Sequence, residues 1–210
     1  MLSFDDAFAR LPLVAILRGL DPDRAVETGE TLVSCGFTLI EVPLNSPRPL
    51  LSIRRLAEAL AGRALVGAGT VLRPREVEEV AQAGGRLIVS PNTDLAVIAA
   101  TKEARLVSLP GAMTPSEIFA ALGAGADAIK LFPGELIPPE AVAALRAVLP
   151  KATRLIPVGG VGAQGMAAYL ARGASGFGLG SSLFKPDFGI ADIERRGRAL
   201  VEAWNRARAA

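Results

Sequence analysis

The sequence predicts an α/β protein, a (β/α)8 barrel with a short helix ahead of the first strand. Three observations predict it. Eight short apolar runs alternate with stretches of helical character along the 210 residues. The runs are continuously apolar rather than alternating, which suits parallel strands covered on both faces. The length fits the ~200–250 residues of a one-domain α/β barrel. No linker, low-complexity tract or change of composition divides the chain, so residues 1–210 are read as one barrel domain. A doubly wound open sheet is the alternative, but the G-x-G-x-x-G that would come after its first strand is missing.

The elements run in order. A short polar helix precedes LVAIL (13–17), the first strand. DPDRAVETGETLVSCG (21–36) is a helix with Asp21 as N-cap, Pro22 at its first position and Gly36 as its stop. TLIEV (38–42) is the second strand, with the helical SPRPLLSIRRLAEALAG after it. ALVGAG (64–69) is the third, with RPREVEEVAQAGG after it. RLIVS (86–90) and RLVSL (105–109) are the fourth and fifth. Thr114, Pro115 and Glu117 have the spacing of a capping box and open the next helix. DAIKLF (127–132) is the sixth strand, then PPEAVAALRAVLP. RLIPV (154–158) is the seventh, then AQGMAAYLARGA. GFGLG (176–180) is the eighth, and a long helix over about 189–208 closes the chain.

Composition excludes several classes of function. The 23 basic and 21 acidic residues leave a net charge of +2, no footprint for nucleic acid or an anionic membrane. The longest uncharged run, 155–171, is broken by four glycines and is not a membrane span. The polar, acidic N-terminus is unlike a secretory signal, so a cytoplasmic protein is expected. Cys35 is alone, which excludes a disulfide framework and a Cys metal cluster, and it is read as a small core residue. Tyr169 and Trp204 lie in helical stretches and are read as packing. There is no histidine, so Ser-His-Asp and Cys-His catalysis and His-ligated zinc are excluded. Proton transfer must fall to Glu, Asp, Lys, Tyr or water. No metal site is expected.

In such a barrel the chemistry sits at the C-terminal ends of the strands. The last two strand ends are glycine-rich, VGGVGAQG and GLGSS. Glycine lets the backbone approach a ligand, and convergent N–H groups bind anions. Gly159, Gly160, Gly180 and Ser181 are therefore candidate phosphate binders, against a bland reading in which the glycines only make tight turns. Glu41 and Lys130 each interrupt an apolar strand with a charge, which is costly without a partner or a shifted pKa. One reading is a structural ion pair. The other is a Schiff-base lysine, kept neutral by apolar neighbours and a nearby cation such as Arg18, with Glu41 as its proton carrier. Arg18 and Thr70 could hold a substrate carboxylate or an oxyanion. The bland alternatives are an exposed arginine and a helix-capping threonine.

The motifs ILRG, IEVPLNSP, VGAGTV, SPN, LPGAMTPSE, AIKLFP, VGGV and GLGS, in this order through nearly the whole chain, resemble the class I 2-keto-3-deoxy-6-phosphosugar-acid aldolases. The resemblance implies a barrel, a homotrimer and no metal or organic cofactor. It implies a phosphorylated keto sugar acid as substrate, cleaved to pyruvate and D-glyceraldehyde 3-phosphate. By motif, Lys130 resembles the Schiff-base lysine and Glu41 the general acid/base. Arg18 and Thr70 resemble contacts to the pyruvate-derived end, and the four glycine-loop residues resemble the phosphate site. The gluconate branch reads EVTLRT and PTGG where this chain has EVPLNSP and PVGG. Asn45 and Val158 therefore resemble the 6-phosphogalactonate branch and are the candidate specificity residues. LFPGE after the lysine is closer to the gluconate branch's FFPAE. The resemblance implies galactonate as the main substrate, with some activity on both C4 epimers. Two rivals share the glycine loops: a phosphate-binding isomerase, epimerase or synthase without a Schiff base, and a non-catalytic sugar-phosphate-binding barrel.

Overall fold

The computed structural model of the chain describes residues 2–209. Helix α1, Phe4–Arg10, starts where the Ser3 hydroxyl accepts the Asp6 N–H at 3.0 Å. β1 (Leu13–Ile16) is separated from α2 (Ala25–Ser34) by one 3₁₀ turn, Pro22–Arg24. Asp21 caps that turn, accepting the Asp23 N–H at 2.9 Å. The expected cap is thus present one turn ahead of the α-helix proper. Next come β2 (Leu39–Pro43), α3 (Pro49–Ala59), β3 (Leu65–Gly69), α4 (Pro74–Gln82) and β4 (Leu87–Val89). Helix α5, Leu95–Glu103, fills the one interval for which the sequence reading sets no bounds; Asp94 caps it by accepting from Ala96 and Val97.

A second, two-residue strand follows the fifth apolar run. β5 is Val107–Leu109 and β6 is Gly111–Ala112. Pro110 lies between them and has no N–H to give a ladder. Then α6 (Pro115–Gly123), with the expected Thr114–Glu117 capping box, leads to β7, Ile129–Leu131. α7 (Pro139–Arg146), β8 (Leu155–Pro157), α8 (Met166–Ala171), β9 (Phe177–Leu179) and α9 (Ile190–Ala209) complete the chain.

Every strand pair is parallel. The strands form a six-stranded sheet, ordered β5-β4-β3-β2-β1-β9, and a three-stranded sheet, β6-β7-β8. The larger sheet curls as a half-barrel. Between the sheets run the Asp127 N–H to Ser108 carbonyl bond (3.0 Å) and an isolated parallel bridge of Val158 with Gly178.

Burial on both sides divides each strand by alternation. Ile40 and Val42 join the large core against the helices. Val14, Ile16, Leu39, Leu65, Leu87, Val89, Ala128 and Ile156 form a second core on the inner face. Phe4 and Ala7 of α1 join that inner core. The inner face is therefore apolar in its lower layers, and the site lies above them, toward the carboxyl ends of the strands.

Candidate active site

Glu41 lies two residues beyond Leu39, and Lys130 two beyond Ala128. Strand periodicity therefore turns both onto the inner face, one layer above the apolar core. Both are buried, 2% and 6% exposed. Among the described residues they form no ion pair or hydrogen bond with each other, and Glu41 Oε2 has no hydrogen-bond partner. The structural ion pair weighed from the sequence is thus not formed.

Burial pushes the Glu41 carboxyl up from 4.5 to about 7, against the pull of Lys130 and then Arg18. The same effect pushes the Lys130 ammonium below its ordinary value; Glu41 opposes this and Arg18 assists it. Lys130 Nζ sits 4.5 Å over the centroid of the Phe132 ring. Each group is thereby biased toward its uncharged form, an amine able to attack and a carboxyl able to give or take a proton near neutrality.

Arg18 comes after β1, and both groups feel its charge. Its guanidinium donates to Asn45 Oδ1 at 2.6 Å, so Asn45 meets the site through Arg18. Ser46 Oγ accepts the Gly19 N–H at 2.9 Å, which ties the same two loops together. Thr70 comes after β3 with a φ of 58°, left-handed backbone that a β-branched residue seldom adopts.

The glycine loops line a cleft of about 390 Å³ together with Arg18 and Ser181. Gly159 and Gly160 have φ of 106° and 67°, which side-chain-bearing residues resist. Among the described residues the N–H groups of Gly160, Val161, Gly162, Ser181 and Ser182 carry no hydrogen bond. The cleft is thus lined by free donors suited to an anion. Of the ten residues singled out from sequence, it brings together Arg18, Gly159, Gly160, Gly180 and Ser181. Lys130, Glu41, Thr70, Asn45 and Val158 are outside its walls. Val158 lies behind them: its carbonyl accepts the Gly134 N–H at 2.8 Å, and its side chain fills the space where a Cβ at Gly178 would fall.

Two charged residues of the lining are not among those singled out from sequence, Glu135 and Lys185. Lys185, beside a proline, looks solvated; Glu135 is legible only as a departure after the lysine strand. Gly69 was also missed as a site residue. Among the described residues no group of three or more His, Cys, Asp or Glu could hold a metal ion. No described helix is long and apolar enough to cross a membrane.

Parallel strands flanked by helices and curled as a half-barrel, with a buried amine and carboxyl above an apolar inner layer and a cleft of free N–H donors, define an α/β protein of the aldolase type. The chain belongs to the KDPG and KHG aldolase family, whose sequence model matches residues 4–195. It is 45% identical over 194 residues to a probable 2-dehydro-3-deoxy-6-phosphogalactonate aldolase of Rhizobium meliloti, covering 92% of each chain. It is 39% identical over 198 residues to the 2-dehydro-3-deoxy-6-phosphogalactonate aldolase of Escherichia coli K12, covering 94% of this chain and 97% of that one. A solved structure described as native KDPGal superposes with a TM-score of 0.94 at 39% identity, covering 96% and 98% of the two chains. A KDPG aldolase from Legionella pneumophila, solved with pyruvate captured as a covalent carbinolamine, superposes with a TM-score of 0.78. It is 25% identical over 94% of each chain.

Proposed function

We propose that this protein reversibly cleaves 2-dehydro-3-deoxy-6-phosphogalactonate to pyruvate and D-glyceraldehyde 3-phosphate through a Schiff base on Lys130. The observation that carries the reading is a buried amine and a buried carboxyl on one inner face, unpaired, each biased toward its neutral form. A structural role would favour a closed ion pair instead.

Neutral Lys130 adds to the C2 ketone. Glu41 gives a proton to the carbinolamine hydroxyl, which leaves as water, and the iminium forms. The Glu41 carboxylate then takes the C4 hydroxyl proton. The C3–C4 bond breaks, its electrons pass into the iminium, and glyceraldehyde 3-phosphate departs. The enamine takes a proton at C3, and hydrolysis releases pyruvate and the amine. The iminium is the electron sink, so the scheme uses no cofactor. Arg18 and Thr70 hold the pyruvate carboxylate. Gly159, Gly160, Gly180 and Ser181 hold the phosphate and supply orientation rather than chemistry. The covalent pyruvate in the Legionella relative supports the first step.

Val158 and Asn45 set the preference between C4 epimers. A valine offers no hydroxyl to the C4 or aldehyde oxygen, and a lost hydrogen bond changes discrimination appreciably. The LFPGE turn favours a second reading, partial activity on the gluconate epimer. Further parts of the proposal are a single domain over 1–210 with the two sheets closed into one eight-stranded barrel, a homotrimer, and a cytoplasmic location. The bonds joining the sheets support the closure. An exposed apolar face including Met113, Leu136 and Val148 supports self-association.

Borohydride with pyruvate should fix an adduct on Lys130; no adduct, or one on another lysine, sinks the mechanism. Retro-aldol kinetics on both epimers, read by coupled pyruvate detection, test the substrate. Equal kcat/KM on the two would undo the galactonate assignment.

A further inference from the structure

We propose that Lys185 is a cationic clamp for the substrate phosphate and that Glu135 in the same cleft is its counter-charge. The two together set how strongly phosphorylated substrates are preferred over unphosphorylated ones. The inference rests on the aldolase reading above and adds two residues to its phosphate end.

Both side chains line the cleft that contains Gly159, Gly160, Gly180 and Ser181. Backbone N–H groups orient an anion but carry no net charge. A phosphate dianion entering this cleft also meets the Glu135 carboxylate. That side chain lies against the glycine pair: a Cβ at Gly159 would overlap its carboxylate, and one at Gly160 would fall 2.8 Å from its Cγ. The turn that carries Glu135 is held from behind. Gly134 N–H donates to Val158, and the Tyr169 hydroxyl donates to the Ile137 carbonyl at 3.0 Å. An unopposed carboxylate here would repel the ligand, so a cation is required.

Two cations line the cleft, and Arg18 is engaged by Asn45 at 2.6 Å. Lys185 has a free tip. Among the described residues its ammonium makes no hydrogen bond or ion pair, and it rests 5.6 Å over the Phe188 ring. Its base is braced. Phe184 before it is buried, and Arg24 donates to the Pro186 and Phe188 carbonyls after it, both at 2.6 Å. Gly19 admits Pro186 so closely that a Cβ there would lie 2.7 Å from its ring. A rigid base with a swinging charged tip lets Lys185 close on a phosphate without disturbing the fold.

The test measures kcat/KM for condensation of pyruvate with D-glyceraldehyde 3-phosphate and with unphosphorylated D-glyceraldehyde, and takes their ratio. Lys185→Ala should lower that ratio at least tenfold, Lys185→Arg should largely retain it, and Glu135→Gln should raise it severalfold. Calorimetry with inorganic phosphate should show at least fivefold weaker binding in Lys185→Ala. An unchanged ratio with unchanged phosphate affinity, or equal loss toward both aldehydes, overturns the clamp. Pyruvate trapping in the unsubstituted protein separates the two readings. An absent adduct with phosphate binding still dependent on Lys185 removes the aldolase and leaves the clamp standing.

Discussion

Gly69 leaves the space that the Glu41 carboxylate occupies: a Cβ built on Gly69 would overlap both carboxylate oxygens. The two residues are on neighbouring strands, β2 and β3, whose register sets Pro43 beside Gly69 and Glu41 beside Gly67. The glycine in VGAGTV is thus a requirement of the acid on the next strand. Gly69 does not have the left-handed φ that would demand glycine by itself.

Gly69→Ala should therefore act through Glu41. Overpacking a buried site costs about 1–3 kcal/mol, and the displaced carboxylate should lose most turnover. In Glu41→Ala the obstruction is gone, so adding Gly69→Ala should cost much less. A double-mutant cycle by urea denaturation reads the coupling, about 1 kcal/mol or more. Additive losses would mean that the two residues do not share the space.

Glu41→Gln should separate stability from activity. The carboxyl titrates at about 7 in the fold, against 4.5 ordinarily. Between those values the folded protein holds a proton that the unfolded chain has released. Stability therefore falls as pH rises through this window, by up to about 3 kcal/mol, and levels off above it. The amide has no such titration. Glu41→Gln should gain on the unsubstituted protein as pH rises from 5 to 8 and lose at least ~100-fold in kcat. Denaturation curves at the two pH values check the first; stability differences independent of pH would contradict it.

The pH–rate profile should carry the same group. Glu41 enters the cycle protonated, as the donor to the carbinolamine hydroxyl, so kcat/KM for cleavage should fall as pH rises through about 7. In Glu41→Gln the residual rate should lose that limb. A limb that persists belongs to another group.

Asn45→Ala should raise the KM for pyruvate in the condensation direction severalfold, because Arg18 loses its 2.6 Å acceptor. It should shift the C4-epimer preference less than Val158→Thr does. Comparing both variants on both epimers tells a residue acting through Arg18 from one acting on the C4 side.

Thr70→Gly should relieve the left-handed backbone strain, about 1–2 kcal/mol, and return part of it as glycine's added unfolded-state freedom. Tm should stay level or rise slightly while a higher pyruvate concentration is needed for half-maximal trapping. A fall in Tm by several degrees would show that the hydroxyl stabilises the fold rather than the ligand.

The alternation of strands and helices, the absence of imidazole chemistry, and the two charges set in apolar strands are all legible in the chain alone. These are local properties: composition, caps and short runs whose meaning depends on neighbours a few residues away. Thr114 with Glu117 is a capping box wherever the helix lies. Which face each charge takes is settled only by folding. In TLIEV and DAIKLF both faces are buried, so alternation of hydrophobicity is silent, and only the inner core containing Leu39 and Ala128 assigns Glu41 and Lys130 to one side. Pairing across the sheet settles the rest. That Gly69 makes room for Glu41, that Asn45 holds Arg18, and that Lys185 and Glu135 line one cleft with the glycine loops are consequences of strand register and loop packing. Glu41 and Gly69, Arg18 and Asn45, and Glu135 and Lys185 are each 27 or more positions apart, a separation over which local propensity carries no information.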